Sequence, residues 1–193
     1  MEKNKKILIT GFEPFAQFQS NPSQLLVEIL AKESSPYQIS TLLMPVRFRE
    51  SFPRLKAAID QWQPNAVICT GLASEREQIT VERIAINWIE ANIADNEGQR
   101  PTGIISDDAP DGLFSTLPVN KMVAYAQEKG VKCAVSNSAG TYVCNHLMYT
   151  TLLYGKDKNF EAGFIHLPPT PELQLSRPRL PSVNVPQALH PLL

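Results

Sequence analysis

Short apolar runs that end at glycine or proline constrain the fold of this chain more than any other feature of its sequence. Residues 6–11, 65–71 and 162–168 are runs of this kind, and they contain several β-branched side chains. Such runs are typical of strands that are buried on both faces of a sheet. Stretches of about a dozen residues with apolar side chains at helical spacing lie between the strands. The sequence therefore predicts a largely parallel sheet covered by helices on both faces.

The predicted elements alternate along the chain. Strands are predicted at residues 6–11, 37–46, 65–71, 79–87, 133–136 and 162–168, and helices at 22–30, 49–62, 118–129 and 141–154. Asn21 precedes Pro22 and is expected to cap the first helix. Residues 89–115 are rich in Asp, Gly, Asn and Pro, so we interpret them as loops that surround a site.

The composition excludes several classes of protein. The 193 residues carry 18 basic and 19 acidic side chains and are 43% apolar, which fits a single soluble domain over residues 1–193. Basic residues cluster only at Lys3, Lys5 and Lys6, so no nucleic-acid partner is expected. No long apolar run or signal-peptide core is present, which argues against a membrane protein. Three cysteines make no disulfide framework at this length, so we expect a cytoplasmic location.

Cys144, His166 and Glu82 can form a nucleophile, a base and an orienting acid. His166 ends a predicted strand, where ligands of such folds bind, and Cys144 follows the small-residue turn 138–140 into a helix. A cysteine in a first helical turn feels the positive end of the helix dipole, which favours the thiolate, and free amides there could stabilise an oxyanion. Glu82 falls at an unexpectedly interior position of its strand, from which it could hold the imidazole in one tautomer.

The remaining cysteines and histidines are interpreted as structural. Cys69 and Cys133 lie within apolar strands, where a free cysteine behaves as a small hydrophobe. His146 is two residues from Cys144 and points to a different side of the helix. His190 lies in the C-terminal segment, and we expect it to be solvated.

The same residues also fit other interpretations. Glu82 could pair with Arg76 or Arg83 instead of a histidine. No metal site is predicted, because the sequence has neither C-x-x-C nor H-E-x-x-H. Gly11 ends a strand, but no G-x-G-x-x-G or G-K-[ST] motif is present, so no nucleotide cofactor is expected.

Six blocks of sequence carry a resemblance to a known family. They are LITGFEPF at residues 8–15, NPS at 21–23, ITVERIAIN at 79–87, IADNEG at 93–98, SAGTYVCNH at 138–146 and GFIHLP at 163–168. In this order and with these residues, the chain resembles the pyroglutamyl peptidase type I family, the pyrrolidone-carboxylate cysteine peptidases. The resemblance spans residues 7 to about 172.

The resemblance implies both a fold and an activity. The fold is a three-layer α/β/α sandwich of the phosphorylase/hydrolase-like type, with a mixed, largely parallel central sheet. The activity is removal of an N-terminal pyroglutamyl residue from peptides, without cofactor or metal, by a cytoplasmic homotetramer. The family's nucleophile falls on Cys144, its base on His166 and its acid on Glu82. Its substrate site falls on a set of mostly apolar residues: Phe12, Phe15, Asn21, Val46, Gly71, Leu72, Ile93, Tyr142 and Val143.

Two departures from the family pattern bear on these expectations. Leu72 stands where the family typically has glutamine, so a backbone contact would have to serve the substrate there. Seven of the 16 prolines lie in the last 26 residues. Segment 169–193 is therefore predicted as an irregular tail in place of the family's last helix, with an effect on stability or assembly rather than on chemistry.

Two further functions stay open at the level of sequence. One is a homologue that binds a pyroglutamyl or other lactam ligand without turning it over. The other is an amidase that acts on a related lactam amide. Fast labelling of Cys144 by iodoacetamide would separate an activated thiol from a merely binding site.

Overall fold

The computed structural model of the protein describes residues 5–174, which form ten strands and five helices. The strands are β1 Lys6–Phe12, β2 Gln38–Met44, β3 Ala66–Leu72, β4 Ile79–Glu82, β5 Ile84–Ile86, β6 Ile89–Glu90, β7 Thr102–Gly103, β8 Gly112–Phe114, β9 Cys133–Ser136 and β10 Glu161–Leu167. The helices are α1 Pro22–Leu30, α2 Phe48–Trp62, α3 Val119–Glu128, α4 Val143–Gly155 and α5 Pro171–Gln174.

Six strands form the central sheet in the order β2-β1-β3-β10-β4-β9. Every neighbouring pair is parallel except β10 and β4, so β4 and β9 run opposite to the other four strands. All seven residues of β3 are buried, as its continuous apolar run predicts. The predicted mixed and largely parallel sheet is confirmed.

Helices cover both faces of this sheet and enclose two separate cores. One core joins α1 and α3 to one set of alternate strand residues, including Ile9, Val81 and Ile165. The other joins α2 and α4 to the opposite set, including Leu8, Val67 and Phe164. The residue parity of each strand therefore decides which side chains face α4, and the three-layer sandwich is confirmed.

Local chemistry explains the start of α1 and the tolerance of a proline inside α2. Asn21 caps α1, because its side chain accepts a hydrogen bond from the backbone N–H of Ser23 at 3.1 Å. Pro53 lies inside α2 and is exposed, where water can satisfy the carbonyl that proline leaves without a partner.

The prediction of one continuous strand over residues 79–87 is wrong, because β4 ends at Glu82 and a separate strand, β5, begins at Ile84. β4 stays in the central sheet, whereas β5 pairs with β8 in a separate antiparallel ribbon. This ribbon buries Ala85 against the core and leaves Phe114 67% exposed. The segment predicted as loops, 89–115, also contains β6, β7 and β8. Alternating polarity continues through residue 83, so only the tertiary pairing reveals the break.

The predicted C-terminal tail 169–193 lies outside the described residues apart from 169–174, where Pro171–Gln174 forms a one-turn helix. Within residues 5–174, no helix combines the length and the apolar character that crossing a membrane requires.

Candidate active site

Cys144 is the second residue of α4, where the amino end of that helix meets the carboxyl ends of β3 and β10. Its sulfur lies directly against Gly71 of β3. A Cβ atom built on Gly71 would lie 3.1 Å from Sγ of Cys144 and 3.0 Å from Cζ of Phe164. A glycine at this position therefore leaves the space that the sulfur occupies, and Cys144 remains partly exposed.

His166 and Glu82 form a buried pair beside this cysteine. Nδ1 of His166 lies 2.7 Å from Oε1 of Glu82, and the two residues are 4% and 0% exposed. Thr80 is the register partner of His166 across the antiparallel pair β10–β4. Glu82 is two residues further along, so its side chain reaches the imidazole as a diagonal neighbour on the same face. The interior position predicted for Glu82 is confirmed.

The three predicted catalytic side chains lie on one face of the sheet. His166 is the register partner of Gly71 on β3, and the sulfur of Cys144 packs over Gly71. The ring of Phe164 lies 4.6 Å from the ring of His166, centroid to centroid, and closes the floor of this space. The structure thus brings together Cys144, His166 and Glu82 although 84 residues separate the acid from the base.

The protonation states of the pair follow from its surroundings. Burial opposes ionisation of Glu82, but the hydrogen bonds from His166 and Arg76 hold its pKa below the usual value. Burial lowers the pKa of His166, Arg76 adds to this effect, and Glu82 opposes it. An ionised Glu82 accepts a hydrogen bond from Nδ1–H of the neutral imidazole, and the lone pair of Nε2 is then free to accept a proton.

Cys144 does not follow the expectation of a thiolate that its helix position alone suggests. Burial raises the pKa of the Cys144 thiol to about 12, and the neighbouring Glu82 and Cys69 add to the effect. Desolvation therefore outweighs the helix dipole. In the unliganded site, burial thus favours the neutral form of both the thiol and the imidazole.

The amino end of α4 has no side-chain cap. Tyr142 is its N-cap residue and makes no side-chain hydrogen bond to the first turn, in contrast to Asn21 at α1. The first amides of a helix have no intrahelical partners, and they carry the positive end of its dipole. The helix that bears Cys144 therefore offers donors to an anionic group at the sulfur.

A shallow pocket opens beside the sulfur at the carboxyl ends of β1 and β3. It is lined by Phe12, Phe15, Asn21, Val46, Leu72, Tyr142, Val143 and Cys144. Seven of these are predicted substrate-binding residues. Gly71 lies behind the sulfur rather than in the wall.

Ile93, the remaining predicted substrate-binding residue, is 42% exposed and is not among the residues that line this pocket. The adjacent Ala94 accepts a hydrogen bond at its carbonyl from the Tyr142 hydroxyl at 2.9 Å. The backbone of this loop, rather than the Ile93 side chain, therefore contacts the pocket wall.

The side chains of Asp95 and Asn96, which the sequence did not single out as functional, hold the pocket loops together. Asn96 donates from Nδ2 to Oε1 of Glu13 at 2.8 Å and to the carbonyl of Pro14 at 3.0 Å. Asp95 is buried and accepts a hydrogen bond from the backbone N–H of Phe48 at 3.0 Å. These contacts join the loops that carry Phe15 and Val46, so the turn at Asp95 and Asn96 positions the pocket. The Asp-Asn-Glu-Gly pattern of residues 95–98 was the available signal.

Arg76 is the second omission. Its guanidinium bonds the same Glu82 oxygen that His166 contacts, and Nη2 donates to the carbonyl of Ser138 at 2.8 Å. Sequence alone offered Arg76 only as an alternative partner for Glu82, whereas the carboxylate binds both groups.

The remaining predictions concern the other cysteines and histidines. Cys69 and Cys133 are buried in their strands, as predicted. His146 packs edge-on against Phe48 with ring centroids 5.6 Å apart, and burial lowers its pKa to about 4. His190 lies outside the described residues. Among residues 5–174, no three His, Cys, Asp or Glu side chains are grouped to hold a metal ion.

An α/β/α sandwich that joins a cysteine, a histidine and a glutamate beside a pocket is a cysteine hydrolase in its architecture. A family model described as pyroglutamyl peptidase matches residues 5–192. The pyrrolidone-carboxylate peptidase of Thermosipho africanus is 43% identical over 190 residues, which are 95% of this chain and 93% of that protein. The enzyme of the same name from Clostridium perfringens is 40% identical over 183 residues, 93% of this chain and 86% of its own.

Solved structures agree with the sequence matches. The crystal structure of pyroglutamyl peptidase I from Bacillus amyloliquefaciens superposes with a TM-score of 0.92 at 38% identity, covering 98% of this chain and 93% of that one. The pyrrolidone carboxyl peptidase of Thermococcus litoralis gives a TM-score of 0.90 at 35% identity, with coverages of 97% and 90%. The chain belongs to the pyroglutamyl peptidase family.

Proposed function

We propose that this protein is a cysteine peptidase that hydrolyses the bond after an N-terminal pyroglutamyl residue, with Cys144 as nucleophile, His166 as base and Glu82 as orienting acid. The observation that carries the proposal is the position of Cys144. It lies in the wall of an apolar pocket and on the same sheet face as the buried pair of His166 and Glu82. Family membership and the names of the relatives support the same activity.

The pocket suits an uncharged lactam. Its walls are mostly aromatic and aliphatic, and no lining residue is acidic. The side chain of Asn21 is already engaged, because its oxygen accepts from Ser23 and its nitrogen donates to the carbonyl of Glu13. An ordinary peptide would bring an α-ammonium group into this slot without a counterion, at an expense of several kcal/mol. Pyroglutamate has no such charge, because its α-nitrogen is part of the ring.

The first half of the reaction follows from the neutral thiol and imidazole. As Sγ of Cys144 attacks the carbonyl carbon that follows the lactam ring, Nε2 of His166 takes the thiol proton. The carbonyl oxygen becomes an oxyanion, which the uncapped amides of α4 can stabilise. The C–N bond then breaks, His166 gives its proton to the leaving amine, and a thioester remains on Cys144.

The second half regenerates the thiol. His166 removes a proton from water as the water attacks the thioester carbonyl, and the C–S bond breaks. The proton returns to sulfur and free pyroglutamic acid leaves. Glu82 keeps the imidazole in the tautomer that both halves require and stabilises the transient imidazolium. Glu82→Gln should therefore lower activity, but less than loss of the nucleophile does.

Release of aminomethylcoumarin from its pyroglutamyl amide tests the proposal. We expect turnover by the wild-type protein and nearly none by Cys144→Ala. Cys133→Ala is the matched control, because this cysteine is buried in the core on the opposite face of the sheet and should leave the activity in place. Turnover by Cys144→Ala, or its absence in the wild type, would refute the proposal. Binding of the amide without turnover would identify the non-catalytic alternative.

The rates on two related amides test whether exclusion of the α-ammonium group determines specificity. Pyroglutamyl- and glutaminyl-aminomethylcoumarin differ in ring closure and in the α-ammonium group. Several kcal/mol of desolvation predict a preference of at least a hundredfold in kcat/KM for the pyroglutamyl amide. Equal rates on the two amides would eliminate exclusion of the ammonium as the basis of specificity.

The proposal extends to the cellular location and the oligomeric state of the enzyme. We infer that the enzyme is cytoplasmic, since an unprotected catalytic thiol and two further free cysteines suit a reducing compartment. We also infer a homotetramer from the family resemblance. Light scattering at several concentrations would test the assembly, and a monomer throughout would contradict it.

A further inference from the structure

We propose that Arg76 is a positioning residue that holds Glu82 and the turn before α4 in one arrangement. The inference rests on the proposed function, in which Glu82 orients His166 and Cys144 is the nucleophile. Arg76 is not among the residues that line the pocket, and its side-chain hydrogen bonds go to Thr80, Glu82 and Ser138. Its action is therefore on other protein groups.

The guanidinium of Arg76 connects two separate parts of the site. Nη1 bonds Oε1 of Glu82 and the hydroxyl of Thr80, both on β4. Nη2 donates to the carbonyl of Ser138 at 2.8 Å, in the turn that leads to Cys144. A planar guanidinium holds two such partners in fixed relative directions, which an ammonium group does not. One side chain thus fixes the distance between the acid and the turn that carries the nucleophile.

The contact with Glu82 is more than a surface ion pair. The Arg76 side chain is 27% exposed, but Glu82 is fully buried and offers the same oxygen to His166. A buried carboxylate that loses a charged donor keeps its desolvation penalty. Among the described residues, Arg76 and His166 are the two hydrogen-bond partners of Oε1 of Glu82. Without Arg76, only a protonated His166 could place a positive charge at that oxygen.

The charge of Arg76 acts on the titrating groups of the site in one direction. The groups that face one another here come from four elements: Glu82 on β4, His166 on β10, Cys69 on β3, and Cys144 with Tyr142 at the start of α4. The loop of Arg76 also carries Glu75 and Glu77, which are exposed. A positive charge favours the deprotonated form of its neighbours, and Arg76 lowers the pKa of both His166 and Cys144. Loss of the charge should raise both.

Three variants separate the charge of Arg76 from its shape. Arg76→Gln removes both, whereas Arg76→Lys keeps the charge without the planar fork. Arg83→Gln is the matched control, because it removes an equal charge from the residue next to Glu82, and the hydrogen bonds assigned to Arg83 are those of its backbone. Thermal melting of each variant confirms that the proteins compared are folded.

The measurements are the pH profile of kcat/KM on pyroglutamyl-aminomethylcoumarin and the pH profile of Cys144 alkylation by iodoacetamide. We expect Arg76→Gln to lose about ten- to a hundredfold in kcat/KM at pH 7 and to move the acid limb of both profiles to higher pH. Arg76→Lys should restore the position of the limb but not the full rate. Arg83→Gln should match the wild type in both profiles.

Alkylation needs no substrate, so it distinguishes failure of this inference from failure of the proposed function. The wild type could fail to cleave the amide while the acid limb of the alkylation profile still shifts to higher pH in Arg76→Gln. That result would support the role of Arg76 and refute the proposed reaction. If the limb of Arg76→Gln coincides with that of Arg83→Gln, the electrostatic part of the inference is overturned. A kcat/KM of Arg76→Lys equal to that of the wild type would show that the planar guanidinium is not needed to hold Glu82 and Ser138.

Discussion

Replacing Gly71 by alanine tests whether the sulfur of Cys144 must lie where the structure places it. The new Cβ atom would be 3.1 Å from Sγ of Cys144 and 3.0 Å from Cζ of Phe164. Ordinary contacts between such atoms are about 3.5–4.0 Å, so the neighbours must give way by roughly half an ångström or more. Phe164 is fully buried and packed, whereas Cys144 is partly exposed at a helix end. The sulfur should therefore be the atom that moves.

The expected magnitudes follow from that displacement. A misplacement of about 1 Å at a reacting atom can lower the rate by roughly a hundredfold, so half of it predicts a loss of about tenfold or more in kcat/KM. Overpacking of this kind costs about 1–3 kcal/mol in the free energy of unfolding, and each kcal/mol lowers Tm by about 2–4 °C at this chain length. The alkylation rate of Cys144 should also change.

Gly155→Ala provides the matched control. A Cβ atom there would lie 3.0 Å from Cζ and 3.1 Å from Cε2 of Phe160, at the opposite end of α4 from Cys144. Crowding against a phenylalanine ring is thus nearly equal in the two variants, but only one of them touches the sulfur. We expect comparable losses of Tm and a normal kcat/KM in Gly155→Ala. A normal kcat/KM in Gly71→Ala as well would refute the placement of the nucleophile.

The remaining predictions concern stability, the α1 cap and the pocket wall. Between pH 7 and pH 5, the wild type should lose about 2 kcal/mol more stability than His146→Gln, because burial lowers the pKa of His146 to about 4 and the unfolded state binds the proton first as the pH falls below about 6.5. Asn21→Ala should lower stability by about 1–2 kcal/mol, whereas Asn21→Ser should keep a capping oxygen and lose only the donor to Glu13, as urea unfolding would measure. Phe15→Ala should raise KM for the pyroglutamyl amide several-fold more than Ile93→Ala does, since Phe15 lines the pocket and Ile93 is exposed.

Each of these has a contrary result. Parallel pH dependences in the wild type and His146→Gln would show that His146 is not held neutral by burial. Equal stability of Asn21→Ala and wild type would show that the Asn21 cap does not stabilise α1. An equal rise in KM for Phe15→Ala and Ile93→Ala would show that the loop of Ile93 closes over the ligand.

The sequence predicts those parts of the fold that depend on local pattern. Continuous apolar runs identify β1, β3 and β10, and the alternation of residues 79–82 places Glu82 on an interior face. Asn21 before Pro22 identifies the start of α1. Each of these signals arises from neighbours in sequence, through burial on alternate faces or through a hydrogen bond within one turn.

The parts that the sequence did not predict depend on contacts between distant segments. The alternation of residues 79–87 continues smoothly through Arg83, and the break there is decided by the pairing of β5 with β8. The sharing of one Glu82 oxygen by His166 and Arg76 joins three separate loops and strands. Ile93 belongs to the expected motif, but the backbone of its loop turns its side chain to solvent.

The protonation of the Cys144 thiol is another property that depends on contacts between distant segments. A first-turn position predicts a stabilised thiolate, because the dipole is a property of the helix itself. Desolvation by the surrounding strands and the nearby Glu82 outweighs it, and neither is visible until the elements are assembled. In the proposed mechanism, His166 therefore removes the thiol proton during the attack.

Intact-protein mass spectrometry of the enzyme quenched in acid during turnover tests the central claim most directly. The account predicts a covalent adduct of one pyroglutamyl group in the wild type, located on Cys144 by peptide mapping and absent from Cys144→Ala. An adduct on any other residue, or an adduct that persists in Cys144→Ala, would contradict it.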